Sequence, residues 1–105
     1  MKASLESRVD NLLRVIDAQG GDRAKLDLFL RKELLKLKAE IARLNLPAEV
    51  IDFVAQKVDS NVRDLEEVST DLIAYAVAKR KPIDLHLTRK FFASRVKKKK
   101  SLPKG

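Results

Sequence analysis

Apolar residues recur at helical spacing along nearly the whole chain, and strict alternation never outlasts four residues. Within 22–44 the series Leu26, Leu30, Leu34, Leu37, Ile41, Leu44 steps by three and four, one stripe on a long helix. Asp22, after the Gly20-Gly21 break, suits its N-cap, because a carboxylate there accepts from orphan N–H groups of the first turn. Pro47 disfavours the α conformation at Leu46 and ends that helix. Pro47 then opens a second helix to about Val58, where its missing N–H costs nothing, with Val50, Ile51, Val54 and Val58 inward. Ser60 caps a third helix, 61–79, with Val62, Leu65, Leu72, Ile73 and Ala76 inward and Ser69 small enough for a close crossing. Pro82 interrupts the chain. Asp84 then caps a fourth helix whose core side is Leu87, Phe91, Phe92 and Val96.

The first twenty residues read two ways. Leu5, Val9, Leu12 and Ile16 step as a helix, while Leu12–Ile16 also fits a short strand. A lone strand has no ladder partner in a helical chain, so helix is favoured. The expectation is an all-α fold, a small bundle of three to four helices. It comprises an N-terminal arm (1–21), a bundle (22–96) and a basic disordered tail (97–105). The expected core is Leu30, Leu37, Ile41, Val50, Val54, Val62, Leu65, Leu72, Ile73 and Phe91.

Composition narrows the chemistry. The 105 residues are room for one domain. With no cysteine there is no disulfide, thiolate site or cysteine nucleophile, which fits a reducing, cytoplasmic setting. His86 is the single histidine, so a histidine metal site is not expected, and no serine has a histidine in plausible relation. His86 reads as a surface or capping residue beside Asp84. Gly20-Gly21 lacks the Lys and Ser/Thr of a phosphate-binding loop. No apolar run reaches the ~20 residues of a membrane span, and the N-terminus lacks a signal-type apolar region. The chain alone is therefore expected not to be an enzyme and to bind no cofactor or metal.

The net charge of +8 comes from 23 basic and 15 acidic residues. Residues 89–105 hold eight of the basic residues and no acid, so the rest of the chain is neutral. Lys97, Lys98, Lys99 and Lys100 are candidate nucleic-acid contacts, salt-sensitive and blind to sequence, or else a solubilising tail. A basic face around Lys79, Arg80 and Lys81 is the alternative contact. The tail lacks the apolar face of a membrane-surface helix.

Four blocks carry a family resemblance: Leu46-Pro47-Ala48-Glu49-Val50, Ser60-Asn61-Val62-Arg63-Asp64-Leu65-Glu66, Leu72-Ile73-Ala74-Tyr75-Ala76 and Pro82-Ile83-Asp84-Leu85. In order and spacing they resemble the lid subdomain of the AAA+ region in the DnaA family of bacterial replication initiators, most firmly over 46–92. The helix before them resembles the family's preceding helix. The resemblance implies a helical lid beside an ATP site. It also implies that Arg63 is a sensor II-type arginine approaching the phosphates, a task suited to a planar cationic fork. The other reading of Arg63 is a surface arginine paired with Glu66 or Glu67. Arg8, in Ser7-Arg8-Val9, is similar to the family's arginine finger toward a neighbouring subunit, although Val9 replaces an aromatic residue. Gly20-Gly21 stands where a proline pair is usual, and Glu67 where a glycine is expected.

The resemblance implies ATP and magnesium for the parent family, bound by Walker motifs that this chain lacks. The implied partners are the missing AAA+ core and neighbouring initiator subunits, with DNA through the tail. The family's helix-turn-helix domain, which follows the lid, is not found after Phe92. Two functions follow: a lid fragment or truncated relative of the initiator, or a stand-alone helical adaptor that binds a protein or nucleic acid without ATP.

Overall fold

A computed structural model describes residues 4–101, with side chains described for 4–95. Five α-helices follow one another: α1 (Leu5–Ala18), α2 (Leu28–Ile41), α3 (Ala48–Lys57), α4 (Val62–Lys79) and α5 (Leu85–Ser101). A single 3₁₀ turn, Gly21–Arg23, separates α1 from α2. There is no strand among the described residues. No described helix is long and apolar enough to cross a membrane. The chain is all-α as expected, with the N-terminal arm adding a full helix.

The core lies where α2, α3, α4 and α5 meet. Leu35, Leu65, Leu72, Val50 and Val54 are its largest fully enclosed apolar side chains. Each contributes about 1.5–3 kcal/mol by leaving water. Leu12 and Ile16 bury the inner face of α1 against them, and Ile83, Leu87 and Phe91 bring in α5. Ser69 is buried, as a close crossing requires, and its hydroxyl donates to the Glu66 carbonyl at 3.0 Å. Thr88, fully enclosed, donates its hydroxyl to the Asp84 carbonyl at 2.7 Å. Both hydroxyls are thus satisfied by backbone carbonyls three or four residues earlier.

The cap residues correct the expected boundaries. The N-cap of α2 is Asp27, not Asp22: its Oδ1 accepts from the Leu30 N–H at 2.8 Å. The reason is that residues 24–27 are pulled out as an extended strap. Ala24 and Leu26 are buried there, and the Ala24 carbonyl accepts from the Val62 N–H at 2.9 Å. Arg31 fastens the strap by donating to the Leu26 carbonyl at 3.1 Å and to the Ala55 carbonyl near the end of α3. Leu26 therefore belongs to the apolar stripe without being helical. The N-cap of α4 is Asn61, not Ser60; its side chain accepts from the Asp64 N–H at 2.8 Å. Ser60 instead hydrogen-bonds the Asp64 carboxylate. Asp84 does cap α5, accepting from the Leu87 N–H at 2.8 Å.

Helix α2 ends at Ile41, before Leu46-Pro47. Arg43, at φ +58°, turns left-handed, and the Leu44 N–H returns to the Ala39 carbonyl at 2.9 Å. Ile41 is 56% exposed rather than core. Glu40 already meets Arg8 in the first turn of α1, so at Ile41 the neighbouring helix has run out. Leu35 and Ala39 take the inner positions instead, and Leu30 and Ile73 are half-buried at the core's margin. Helix α5 continues past the expected boundary at Val96 to Ser101. The expectation of a disordered tail falls, for 102–105, outside the described residues.

Candidate functional site

Arg63 is the second residue of α4, two positions after the Asn61 cap. The strap carbonyl of Ala24 and the Asn61 side chain take up the Val62 and Asp64 N–H groups on either side of it. This ties the first turn of α4 to the body of the bundle while leaving the Arg63 side chain outside. That side chain is 72% exposed, and its one ion-pair contact among the described residues is Nε to Glu67 Oε2 at 3.4 Å. An exposed i, i+4 pair of this length holds a guanidinium weakly, at about 0.3–0.5 kcal/mol. The fork of Arg63 is thus carried on a fixed helix start and is loosely held at its tip.

Arg8 is engaged. Its two terminal nitrogens donate to both carboxylate oxygens of Glu40 at 2.7 Å each, bridging α1 to α2. The hydrogen bonds from Arg8 hold the Glu40 carboxyl below the usual carboxylate range, against a smaller opposing effect of desolvation. The same bonds raise the Arg8 guanidinium. Asp52 is lowered in the same way, by Lys32 at 2.9 Å and by the Gln56 amide at 2.9 Å. Arg8 and Arg63 have different partners, Glu40 and Glu67. The side chains of Lys97, Lys98, Lys99 and Lys100 lie outside the described ones.

His86 is exposed, next to the Asp84 cap. It helps line a concavity of about 210 Å³ with Tyr75, Lys79, Lys81 and Lys90. The run Lys79-Arg80-Lys81 signals this basic rim in the sequence. Lys90 comes to it from α5 only through the fold, and Arg43 lines a separate concavity beside Arg80 and Lys81. The left-handed turn at Arg43 has no signal, because glycine or asparagine is the usual residue there.

Part of the chain is similar to DnaA proteins. Over 63 residues, 60% of this chain and 14% of the relative, it is 41% identical to the chromosomal replication initiator protein DnaA of Caldanaerobacter subterraneus subsp. tengcongensis. It is 44% identical over 59 residues to DnaA of Chloroflexus aurantiacus, covering 56% of this chain and 12% of that protein. It is 39% identical over 61 residues to DnaA of Herpetosiphon aurantiacus, covering 58% of this chain and 13% of that protein. The match therefore spans only about one seventh of the length of these relatives. No protein-family model and no solved structure matches the chain.

Proposed function

Starting from a chain that carries a DnaA-related segment, we propose that it serves replication initiation as the lid of an ATP-dependent initiator. In this reading Arg63 meets the phosphates of an ATP held, with magnesium, by the AAA+ core of the same initiator. The supporting observation is the Asn61-Val62-Arg63 block at the start of α4. The block lies among three other lid-type blocks, in a chain similar to three DnaA proteins. The loose hold of Glu67 on Arg63 suits a side chain that must turn toward an incoming phosphate. The chain supplies one charged contact and no phosphate-cradling loop, so alone it is expected to turn over no ATP.

The test is a chimera of the Caldanaerobacter DnaA in which residues 22–96 replace the matching segment. Binding of a fluorescent ATP analogue is compared with that of the parent and of the isolated chain. The chimera should bind within tenfold of the parent, and the isolated chain should not bind. A chimera that is folded by circular dichroism yet binds no ATP would overturn the reading.

A second reading, an adaptor that works without ATP, is favoured by one observation. The guanidinium that resembles an arginine finger, Arg8, is tied in a two-point pair to Glu40 of its own chain. ATP-independent binding of a partner, undiminished when Arg63 is replaced, would select this reading.

A further inference from the structure

Helix α3 stops at Lys57, so the Ala55 carbonyl has no N–H four residues on within the helix to accept from. The Leu26 carbonyl, on the strap before α2, is in a similar position, because the Leu30 N–H is taken by the Asp27 cap. Both carbonyls converge on one side chain. Arg31 donates from Nε to the Leu26 carbonyl at 3.1 Å and from Nη1 to the Ala55 carbonyl. Arg31 is half-buried, and no carboxylate pairs with it among the described residues, whereas Arg8, Arg63 and Arg95 each meet one. A guanidinium withdrawn from water without a counter-charge is a costly way to fill space. It is a good way to hold two backbones at a fixed separation, because its donors form a rigid fork.

What Arg31 holds bears directly on the start of α4. It lines a narrow crevice together with Leu26, Asn61 and Val62. The strap it fastens is buried at Ala24 and Leu26, and the Ala24 carbonyl accepts from the Val62 N–H at 2.9 Å. Val62 opens α4 and is the residue before Arg63. Arg31 thus fixes Leu26, the Ala24 carbonyl two residues earlier fixes Val62, and Val62 fixes the backbone from which Arg63 projects. Leu65 and Leu72 hold the body of α4 by packing in the core. Packing there leaves the first turn able to fray, since the leading N–H groups of a helix have no intrahelical partner.

We propose that Arg31 is the positioning residue for Arg63. By clamping the strap to the end of α3, it sets where the first turn of α4 stands, and with it the Arg63 guanidinium. The proposal rests on the lid reading for what Arg63 then meets, and Arg31 acts through Arg63 rather than on the nucleotide. Loss of the clamp loosens the first turn of α4 while the middle of the helix stays closed. It weakens nucleotide binding only so long as Arg63 is there to be misplaced. Lysine does not substitute, since one ammonium cannot reproduce a fork of two separate nitrogens.

The first measurement is amide hydrogen exchange by NMR on the full chain carrying Arg31→Lys. It is read at Val62 and, as the reference for global opening, at Leu72 in the middle of α4. The Val62 amide should exchange at least about tenfold faster, while Leu72 changes by less than about threefold. Equal acceleration at both amides, or none at Val62, overturns the proposal. If Arg31→Lys does not fold by circular dichroism, Arg31→Gln decides by the same criteria. The second measurement is a cycle in the DnaA chimera, in which the fluorescent ATP analogue is titrated against Arg31→Lys, Arg63→Ala and the double variant. Arg31→Lys should lower the affinity by about threefold or more, and should add no loss once residue 63 is alanine. A loss of equal size with and without Arg63 overturns the proposal, as does a loss in Arg63→Ala with none in Arg31→Lys. If Arg63→Ala binds as tightly as the unsubstituted chimera, the lid reading itself fails and the role of Arg31 toward nucleotide falls with it, while the exchange result still judges the clamp.

Discussion

Single residues divide sharply by what surrounds them. Leu72 is 1% exposed and Ile41 56% exposed, although both continue a regular apolar stripe. Leu72→Ala should cost about 2–5 kcal/mol, because the fixed core cannot collapse around the space left. Ile41→Ala should cost less than about 0.5 kcal/mol, as surface changes do. Urea melts of the two variants check both values. Glu40 and Asp52 make a pH prediction. Their carboxyls are held low in the folded chain by Arg8 and Lys32. Their contribution is therefore present above the unfolded value, about 4, and is lost as pH falls through the lower folded values. The stability gap between the unaltered chain and Glu40→Gln should be largest at neutral pH and close on going to pH 3. A gap that widened in acid would contradict the assignment.

The elements show what periodicity reveals and what it hides. Proline and the Asp84 cap mark α3 and α5 in the sequence, because each acts on its own neighbouring residues. The start of α2 is hidden because Leu26 keeps helical spacing while sitting on the strap. Its position is decided by a bond to Val62, far along the chain. The shift of the α4 cap from Ser60 to Asn61 is a choice between two adjacent good capping residues, and spacing cannot make it. Cap substitutions test these boundaries. Asp27→Ala and Asn61→Ala should each destabilise by about 1 kcal/mol. Asp22→Ala, outside any α-helix, should change stability by under about 0.5 kcal/mol. Of the candidate site, Arg63 was legible from its motif block and Lys79–Lys81 from their charge. The pairing of Arg8 with Glu40 was not, since it requires the antiparallel packing of α1 on α2.

At the scale of the molecule, the bundle fixes the start of α4 from two sides and leaves one arginine outside. Basic residues gather at the closing turns of α2 and α4, and the Tyr75, Phe91, Phe92 and Phe53 rings join α4, α5 and α3. The central claim is that Arg63 works on phosphate while this frame holds it. It is tested most directly in the chimera with the Caldanaerobacter DnaA, by titrating the fluorescent ATP analogue against the Arg63→Ala form. Arg63→Ala should lower the affinity about tenfold, which corresponds to the roughly 1.4 kcal/mol of a lost charge-assisted contact. Arg63→Lys should recover part of it. An Arg63→Ala chimera that binds ATP within twofold of the unsubstituted one would contradict the claim and leave Arg63 as a surface partner of Glu67.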